Sequence, residues 1–258
     1  RNRPAVFDVE AFFDQLFGEQ TPEQRRALEQ VEISWQEEQQ FGRQALDRFL
    51  ADLRRQNIRV VSRGQEVERL RRLVEKIRPQ MQHADRYRSI TVLVAESPES
   101  DARCFPGGNL VFFRGLLEEV PSESALVGVI GHELSHIDHG HQLRYLKAMR
   151  LAQRTFSAGR AAEPRNMMHD TLLLTRTFAR PFRPEEELEA DRDGVTWAYR
   201  AGYDPRDLAK LFLLFEERKG KPNAMLPAFL RTHPYDRQRH EAVLQRYEEL
   251  VRTEPRGR

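Results

Sequence analysis

The feature that most constrains this chain is the run His132-Glu133-Leu134-Ser135-His136, set in a segment with helical periodicity. Residues four apart lie on one face of a helix, so both imidazoles can reach the same metal ion. Zinc suits such ligands, because imidazole nitrogen binds it well and a catalytic zinc keeps one position open for water. Glu133 would then lie beside that water and accept its proton. The alternative is a polar, histidine-rich helix that holds no metal.

An apolar stripe on the same segment favours the metal site, because it would bury one face of the helix. Its members are Leu126, Ile130, Leu134 and Ile137. The two histidines are therefore expected at the edge of a hydrophobic core. The helix is predicted to begin at Pro121-Ser122 and to run to about Met149.

Two histidines leave the metal in need of a third protein ligand. A third histidine from the same segment is excluded, since His139 and Gln142 occupy the positions where that arrangement needs glycine and histidine. His139 is instead expected at the surface or in a structural role. Glu187 is the predicted third ligand, and Asp191, one helical turn later, is expected to accept a hydrogen bond from a ligand imidazole.

Helical geometry separates Glu187 from the other carboxylates nearby. Glu187 shares a face with side chains that are mostly small or apolar, which suits close packing against the helix that carries the motif. These side chains are Ala190, Asp191, Gly194, Val195 and Ala198. The face through Glu186, Glu189 and Asp193 is acidic and is predicted to lie in solvent. Glu185 lies in the first helical turn, where a carboxylate is favourable without a metal.

These segments resemble the zinc metallopeptidase family of the CAAX prenyl proteases, the HtpX-type heat-shock proteases and the bacterial periplasmic quality-control proteases. Further motifs of that family occur in the same order along the chain. They are the turn Pro106-Gly107-Gly108 with the segment after it, His141, Thr232-His233-Pro234 and Arg239. The resemblance covers roughly residues 35–250.

The resemblance implies an α+β, mainly helical fold: a gluzincin-type metallopeptidase domain with a small β-sheet and an active-site helix. It implies a zinc-dependent endopeptidase that acts on extended or unfolded polypeptides in protein quality control. Zinc (Zn2+) is then the cofactor and a polypeptide the partner. His233 and Arg239 are expected to stabilise the oxyanion that forms when water attacks a peptide carbonyl. The alternative for these two residues is a helix cap and a surface charge.

Two segments, residues 89–95 and 109–114, are predicted strands because they are rich in β-branched and aromatic residues. The second is expected to lie beside the cleft and to pair with an extended substrate. The predicted substrate-binding residues are Asn109, Leu110, Val111 and Phe112. The alternative is an ordinary strand that only packs the core.

Residues 1–85 are predicted to form an N-terminal helical arm, and residues 86–258 the catalytic domain, together as one compact unit. One helix of the arm is expected from Thr21 to about Gln56. A second is expected to begin at a capping box formed by Ser62 and Gln65. Three later helices are predicted, from about Glu185, after Asp204 and from Pro234.

Composition narrows the function further. The 42 Lys and Arg residues nearly balance the 40 Asp and Glu residues, so we expect no nucleic-acid partner. No apolar run approaches the roughly 20 residues that span a bilayer. Cys104 is the one cysteine, which excludes an internal disulfide. It is expected to be a small buried side chain, the alternative being a thiolate that plugs the metal site.

The chain begins at Arg1 rather than at Met, as a processed or trimmed piece does. An extracytoplasmic location is expected, in a bacterial periplasm or attached to a membrane after signal removal; a cytoplasmic location is the alternative. The alternative function is a zinc-stabilised, chaperone-like binding protein with little or no proteolysis. Glu133 argues against it, because a structural zinc site needs no proton acceptor and closes with four protein ligands.

Overall fold

A small mixed sheet and the helix that carries the histidine motif share the main hydrophobic core. The structure is a computed structural model that describes residues 21–157, 178, 180–219, 227–234 and 237–254. Over these residues the chain is mainly helical, as the sequence predicts. Residues 1–20 of the predicted arm lie outside the described part. None of the described helices is long and apolar enough to cross a bilayer.

The described helices are, in chain order, α1 (Pro22–Glu29), α2 (Trp35–Arg55), α3 (Gln65–Ile77), α4 (Arg114–Glu119), α5 (Glu123–Asp138), α6 (Arg144–Ser157), α7 (Pro184–Arg200), α8 (Arg206–Lys219), α9 (Phe229–Thr232) and α10 (Arg237–Thr253). Two 3₁₀ turns, Arg78–Gln80 and His141–Leu143, follow α3 and α5. The described strands are β1 (Val60–Val61), β2 (Thr91–Ala95), β3 (Ala102–Phe105) and β4 (Asn109–Phe113).

The strands lie in the order β1-β2-β4-β3, with β2 and β4 parallel and the two outer pairs antiparallel. β4 is therefore an interior strand, and its residues are all buried. The prediction that Asn109, Leu110, Val111 and Phe112 pair with substrate is wrong, because both edges of β4 already pair with neighbouring strands. Among the described strands, β3 is the edge strand that lies beside α5, and the sequence pattern does not predict this short segment.

Three predicted helix boundaries are also wrong. The helix expected from Thr21 to about Gln56 is interrupted before α2, where Ser34 forms a capping box with Glu37. The box predicted at Ser62 and Gln65 is not formed, since Gly64 is the cap residue of α3 and gives no side-chain hydrogen bond. The helix predicted to reach Met149 ends at Asp138, because the chain turns at Gly140 with a left-handed φ of 64°.

The arm is fastened to the sheet by a buried carboxylate on α2. Glu38 accepts hydrogen bonds from the Tyr87 hydroxyl at 2.7 Å and from the Gly107 backbone N–H at 3.0 Å. Arg86 pairs with the same carboxylate, so its charge is compensated in the interior. Apolar residues of α3 also enter the core that contains α5.

Helices α5 and α7 cross where two glycines meet. A Cβ on Gly131 would lie 2.8 Å from Gly194 Cα, and one on Gly194 would lie 2.9 Å from the Gly128 carbonyl oxygen. Hydrogen in place of a side chain therefore sets how closely the helices approach. The prediction that the Gly194 face of α7 packs against the motif helix is confirmed.

Candidate active site

The two histidines of the motif point from one face of α5 toward a common point. His132 Nε2 and His136 Nε2 lie 3.1 Å apart, and both residues are 1% exposed. Two nitrogens that each bind one zinc at 2.0–2.1 Å are about 3.3 Å apart in a tetrahedral site. The spacing of the imidazoles therefore fits a shared zinc ion.

Glu187 reaches the same point from the first turn of α7. Its Oε1 lies 3.4 Å from His136 Nε2 and its Oε2 lies 3.7 Å from His132 Nε2. The structure thus brings together the three residues predicted to hold the metal. Glu189 points elsewhere, with its side chain 49% exposed.

His233 lies against this cluster, immediately after α9. Its Nδ1 is 3.1 Å from His132 Nε2 and 3.0 Å from Glu187 Oε1. Together with His132, His136 and Glu187 it forms a group of buried side chains with the spacing of metal ligands. Its predicted role at an oxyanion stays a prediction, and its position makes it a possible fourth ligand as well.

Glu133 provides a test of whether the cluster fits a catalytic metal. Both of its carboxylate oxygens are buried and make no well-formed hydrogen bond with the described residues, although Oε1 lies 3.3 Å from His233 Nε2 and the Cys104 thiol also interacts with the carboxylate. A buried carboxylate without donors is costly, unless a bound molecule supplies them. Two imidazoles, a carboxylate ligand and an adjacent unsatisfied carboxylate fit zinc with a bound water.

Asp191 orients His132 from the side opposite the cluster. Its Oδ1 lies 2.9 Å from His132 Nδ1, which leaves Nε2 to face the metal position. A carboxylate that holds the second nitrogen of a ligand histidine fixes the tautomer and the ring. The geometry agrees with the role that the sequence predicts for Asp191.

Arg239 contacts two buried carboxylates of the site. It donates to Asp191 through Nε at 2.7 Å and Nη2 at 2.8 Å, and its Nη1 pairs with Glu187 and with the Pro234 carbonyl. The prediction that Arg239 stabilises the oxyanion is wrong, because its donors are directed at these buried groups. Its side chain is 3% exposed and contacts both Asp191 and Glu187.

The comparison with known families agrees with this geometry. Residues 64–247 match the model described as peptidase family M48.

The chain belongs to peptidase family M48.

Curated relatives of this M48 chain support the assignment. It is 31% identical over 157 residues to the mitochondrial metalloendopeptidase OMA1 of Arabidopsis thaliana. The aligned region covers 60% of this chain and 31% of that protein. It is 30% identical over 151 residues to the beta-barrel assembly-enhancing protease of Escherichia coli, covering 53% and 30%. The OMA1 enzyme of Schizosaccharomyces pombe is 27% identical over 146 residues, covering 57% and 43%. The chain spans less than half the length of these relatives.

Burial and charge set the protonation of the cluster. Burial opposes ionisation of Glu187, but the charges of His233 and Arg239 outweigh it and hold the Glu187 pKa well below its usual value. Burial also holds the pKa of His136 well below its usual value. Both shifts favour the forms that bind a metal, a carboxylate and a neutral imidazole.

Cys104 is buried on β3 beside Glu133, as the sequence predicts for a small buried side chain. Burial and then the Glu133 carboxylate raise the pKa of the Cys104 thiol well above its usual value. The alternative of a thiolate on the metal stays open, because a metal ion would itself deprotonate a thiol that binds it.

A cavity of about 280 Å³ opens between β3 and the chain around Phe182 and His233. Gln142 lines it and donates from Nε2 to the Cys104 carbonyl at 2.7 Å. Phe182 stacks on His136, with ring centroids 3.7 Å apart. Sequence reasoning did not find Gln142 and Phe182, because glutamine and phenylalanine have no spacing that marks them as cleft residues.

Proposed function

We propose that this chain is a zinc-dependent endopeptidase in which His132, His136 and Glu187 hold the metal and Glu133 is the general base. The observation that supports it most is the buried, unsatisfied carboxylate of Glu133 beside three groups spaced as zinc ligands. Zinc, when bound, would supply a polarised water and a polarised peptide carbonyl. The family contains peptidases, and the relatives named above are endopeptidases or proteases.

The protein side of the reaction follows from where each group lies. Glu133 accepts a proton from the attacking water and returns it to the leaving amine. Asp191 keeps the second nitrogen of His132 protonated, so Nε2 remains a ligand. His233, with Nε2 on the side of Glu133, is placed to donate to the oxyanion once its Nδ1 leaves the ligand cluster.

The open edge of β3 is the proposed binding site for an extended substrate. The Phe113 N–H donates to the Asp101 carbonyl, so the alternation of an antiparallel ladder directs the backbone of Arg103 to β4. The backbone groups of Ala102 and Cys104 then point away from the sheet. The Cys104 carbonyl bonds the Gln142 side chain, which occupies the place of a substrate N–H. A substrate strand would replace this bond.

Recognition through a strand edge reads backbone rather than side chains. We therefore propose that the substrates are extended or unfolded polypeptides and that the chain acts in protein quality control. An extracytoplasmic location rests on the sequence resemblance. The arm of residues 1–85 is proposed to be part of the catalytic unit, since the match to the family begins at residue 64, within it.

A second candidate function is a closed zinc site that stabilises a polypeptide-binding protein. The observation that favours it is His233, which offers a fourth buried ligand where a catalytic zinc keeps a position open. A structural site has no use for Glu133, so the two functions predict different effects of changing it.

Cleavage of an unfolded casein-like substrate, with and without a chelator, tests the proposal. Cleavage that is lost on chelation and restored by zinc supports the endopeptidase. Binding of casein without cleavage by the zinc-loaded protein, unchanged in Glu133→Gln, would instead establish the binding protein.

A further inference from the structure

A second group of metal-ligating side chains lies on the outer side of the α5–α7 pair. It consists of His139, His141 and Glu189, whose ligand atoms lie within 4.8 Å of one another. His141 Nε2 is 3.1 Å and His139 Nδ1 is 3.6 Å from the same oxygen, Glu189 Oε2. These spacings bracket the roughly 3.3 Å expected between tetrahedral zinc ligands.

The cluster has the supporting contacts of a built metal site. His139 Nε2 lies 2.8 Å from Asp193 Oδ2, so its Nδ1 is left to face Glu189. Ser135 in turn donates to Asp193 at 2.9 Å. A carboxylate on the far nitrogen of a histidine is the arrangement that orients ligands at zinc sites. On the face of α7 predicted to lie in solvent, Asp193 is therefore engaged with α5, while Glu189 is exposed as predicted.

Solvent access and the type of ligand atoms indicate which metal ion the cluster would bind. The Glu189 side chain is 49% exposed, whereas His139 and His141 are 19% and 7% exposed, so an ion can enter from solvent. Imidazole nitrogens select zinc and similar transition metals over magnesium and calcium, which prefer oxygen.

We propose that His139, His141 and Glu189 form a second, weaker zinc site, separate from the cluster around His132.

The second site touches the first through one hydrogen bond. His141 Nδ1 lies 2.7 Å from His136 Nδ1. The two groups of side chains are thus in contact but offer different ligand atoms, since His141 faces Glu189 through Nε2.

Zinc titration of the purified protein, by equilibrium dialysis and metal analysis, tests the second site. The wild type should bind one ion tightly and a second ion more weakly. His139→Gln and Glu189→Gln should each lose the weak ion and keep the tight one. Glu187→Ala should lose the tight ion and keep the weak one, so failure of the catalytic assignment would be seen separately.

His83→Gln is the matched control, because His83 also lies 3.0 Å from a carboxylate, that of Asp138, but belongs to neither cluster. It should bind both ions. One equivalent of zinc in the wild type at excess metal, or two in His139→Gln, would overturn the proposal.

Discussion

Arg239 and Asp191 form a buried two-point ion pair, with Nε–Oδ2 at 2.7 Å and Nη2–Oδ1 at 2.8 Å, directly behind His132. Burial raises the pKa of Asp191, but the Arg239 guanidinium and the His132 contact outweigh it, so the pKa lies below its usual value. Asp191 is thereby kept ionised to orient His132. Arg239 on α10 thus contacts, through Asp191 on α7, the proposed ligand His132 on α5.

Replacing Arg239 should lower stability and zinc affinity rather than kcat alone. Arg239→Leu leaves Asp191 and Glu187 without their buried cation, which should cost about 3–5 kcal/mol of stability. Arg239→Lys keeps the charge but loses the two-point contact, so it should recover only part of this. Urea unfolding measures the stability of the two variants, and a zinc titration measures their affinity for the metal. A lower kcat with unchanged stability and zinc affinity would restore Arg239 to the oxyanion.

Glu133→Gln should keep zinc and lose proteolysis. The amide preserves the shape of the side chain but cannot accept a proton, so kcat should fall by about 10²–10⁴-fold. Metal analysis and cleavage of an unfolded substrate check the two parts on one sample. Near wild-type turnover by the zinc-loaded variant would show that another group is the base.

Replacement of each of three carboxylates on α7 should affect binding of the tight zinc ion to a different extent. Glu187→Ala removes a ligand and should lose most of the ion. Asp191→Ala should weaken binding roughly tenfold or more. Glu189→Ala should leave the tight ion in place, since this carboxylate contacts His141 and His139 instead. Dialysis against a chelating buffer measures all three; loss of the tight ion from Glu189→Ala alone would reverse the assignment.

Gly194→Ala should separate α7 from α5. The added Cβ would lie 2.9 Å from the Gly128 oxygen and 3.0 Å from the His132 nitrogen, both of which are backbone atoms. We expect a loss of about 1–3 kcal/mol of stability together with weaker zinc binding, because Glu187 moves with α7. Thermal unfolding without zinc measures the loss of stability, and the added stabilisation by zinc measures the weaker binding. Unchanged stability in both conditions would mean that the helices do not approach this closely.

N-methylation of single amides in a peptide substrate should test pairing with β3. Only alternate N–H groups of a strand face its partner, so KM should rise strongly at every second position near the scissile bond. Equal effects at all positions, or none, would contradict the pairing. Gln142→Ala complements this experiment, since it frees the Cys104 carbonyl without a change in the metal ligands.

Several parts of this site are local properties of the sequence. The spacing of His132 and His136 places them on one helical face wherever that helix packs. The small residues around Gly194 and the position of Glu187 on the same stripe likewise predicted which face of α7 meets α5. Each of these follows from the helical repeat, which fixes the relative directions of side chains within about two turns.

Only the tertiary structure decided the rest, because it depends on contacts between segments far apart in the chain. The composition of β4 predicts a strand correctly, but only the pairing with β2 and β3 shows that it is an interior strand. Arg239 follows a motif associated with catalysis, but α10 directs it to Asp191. His139, Glu189 and Asp193 belong to segments predicted at the surface, and the crossing of α5 and α7 brings their side chains together. The sequence determined which groups can do chemistry, and long-range packing determined which of them meet.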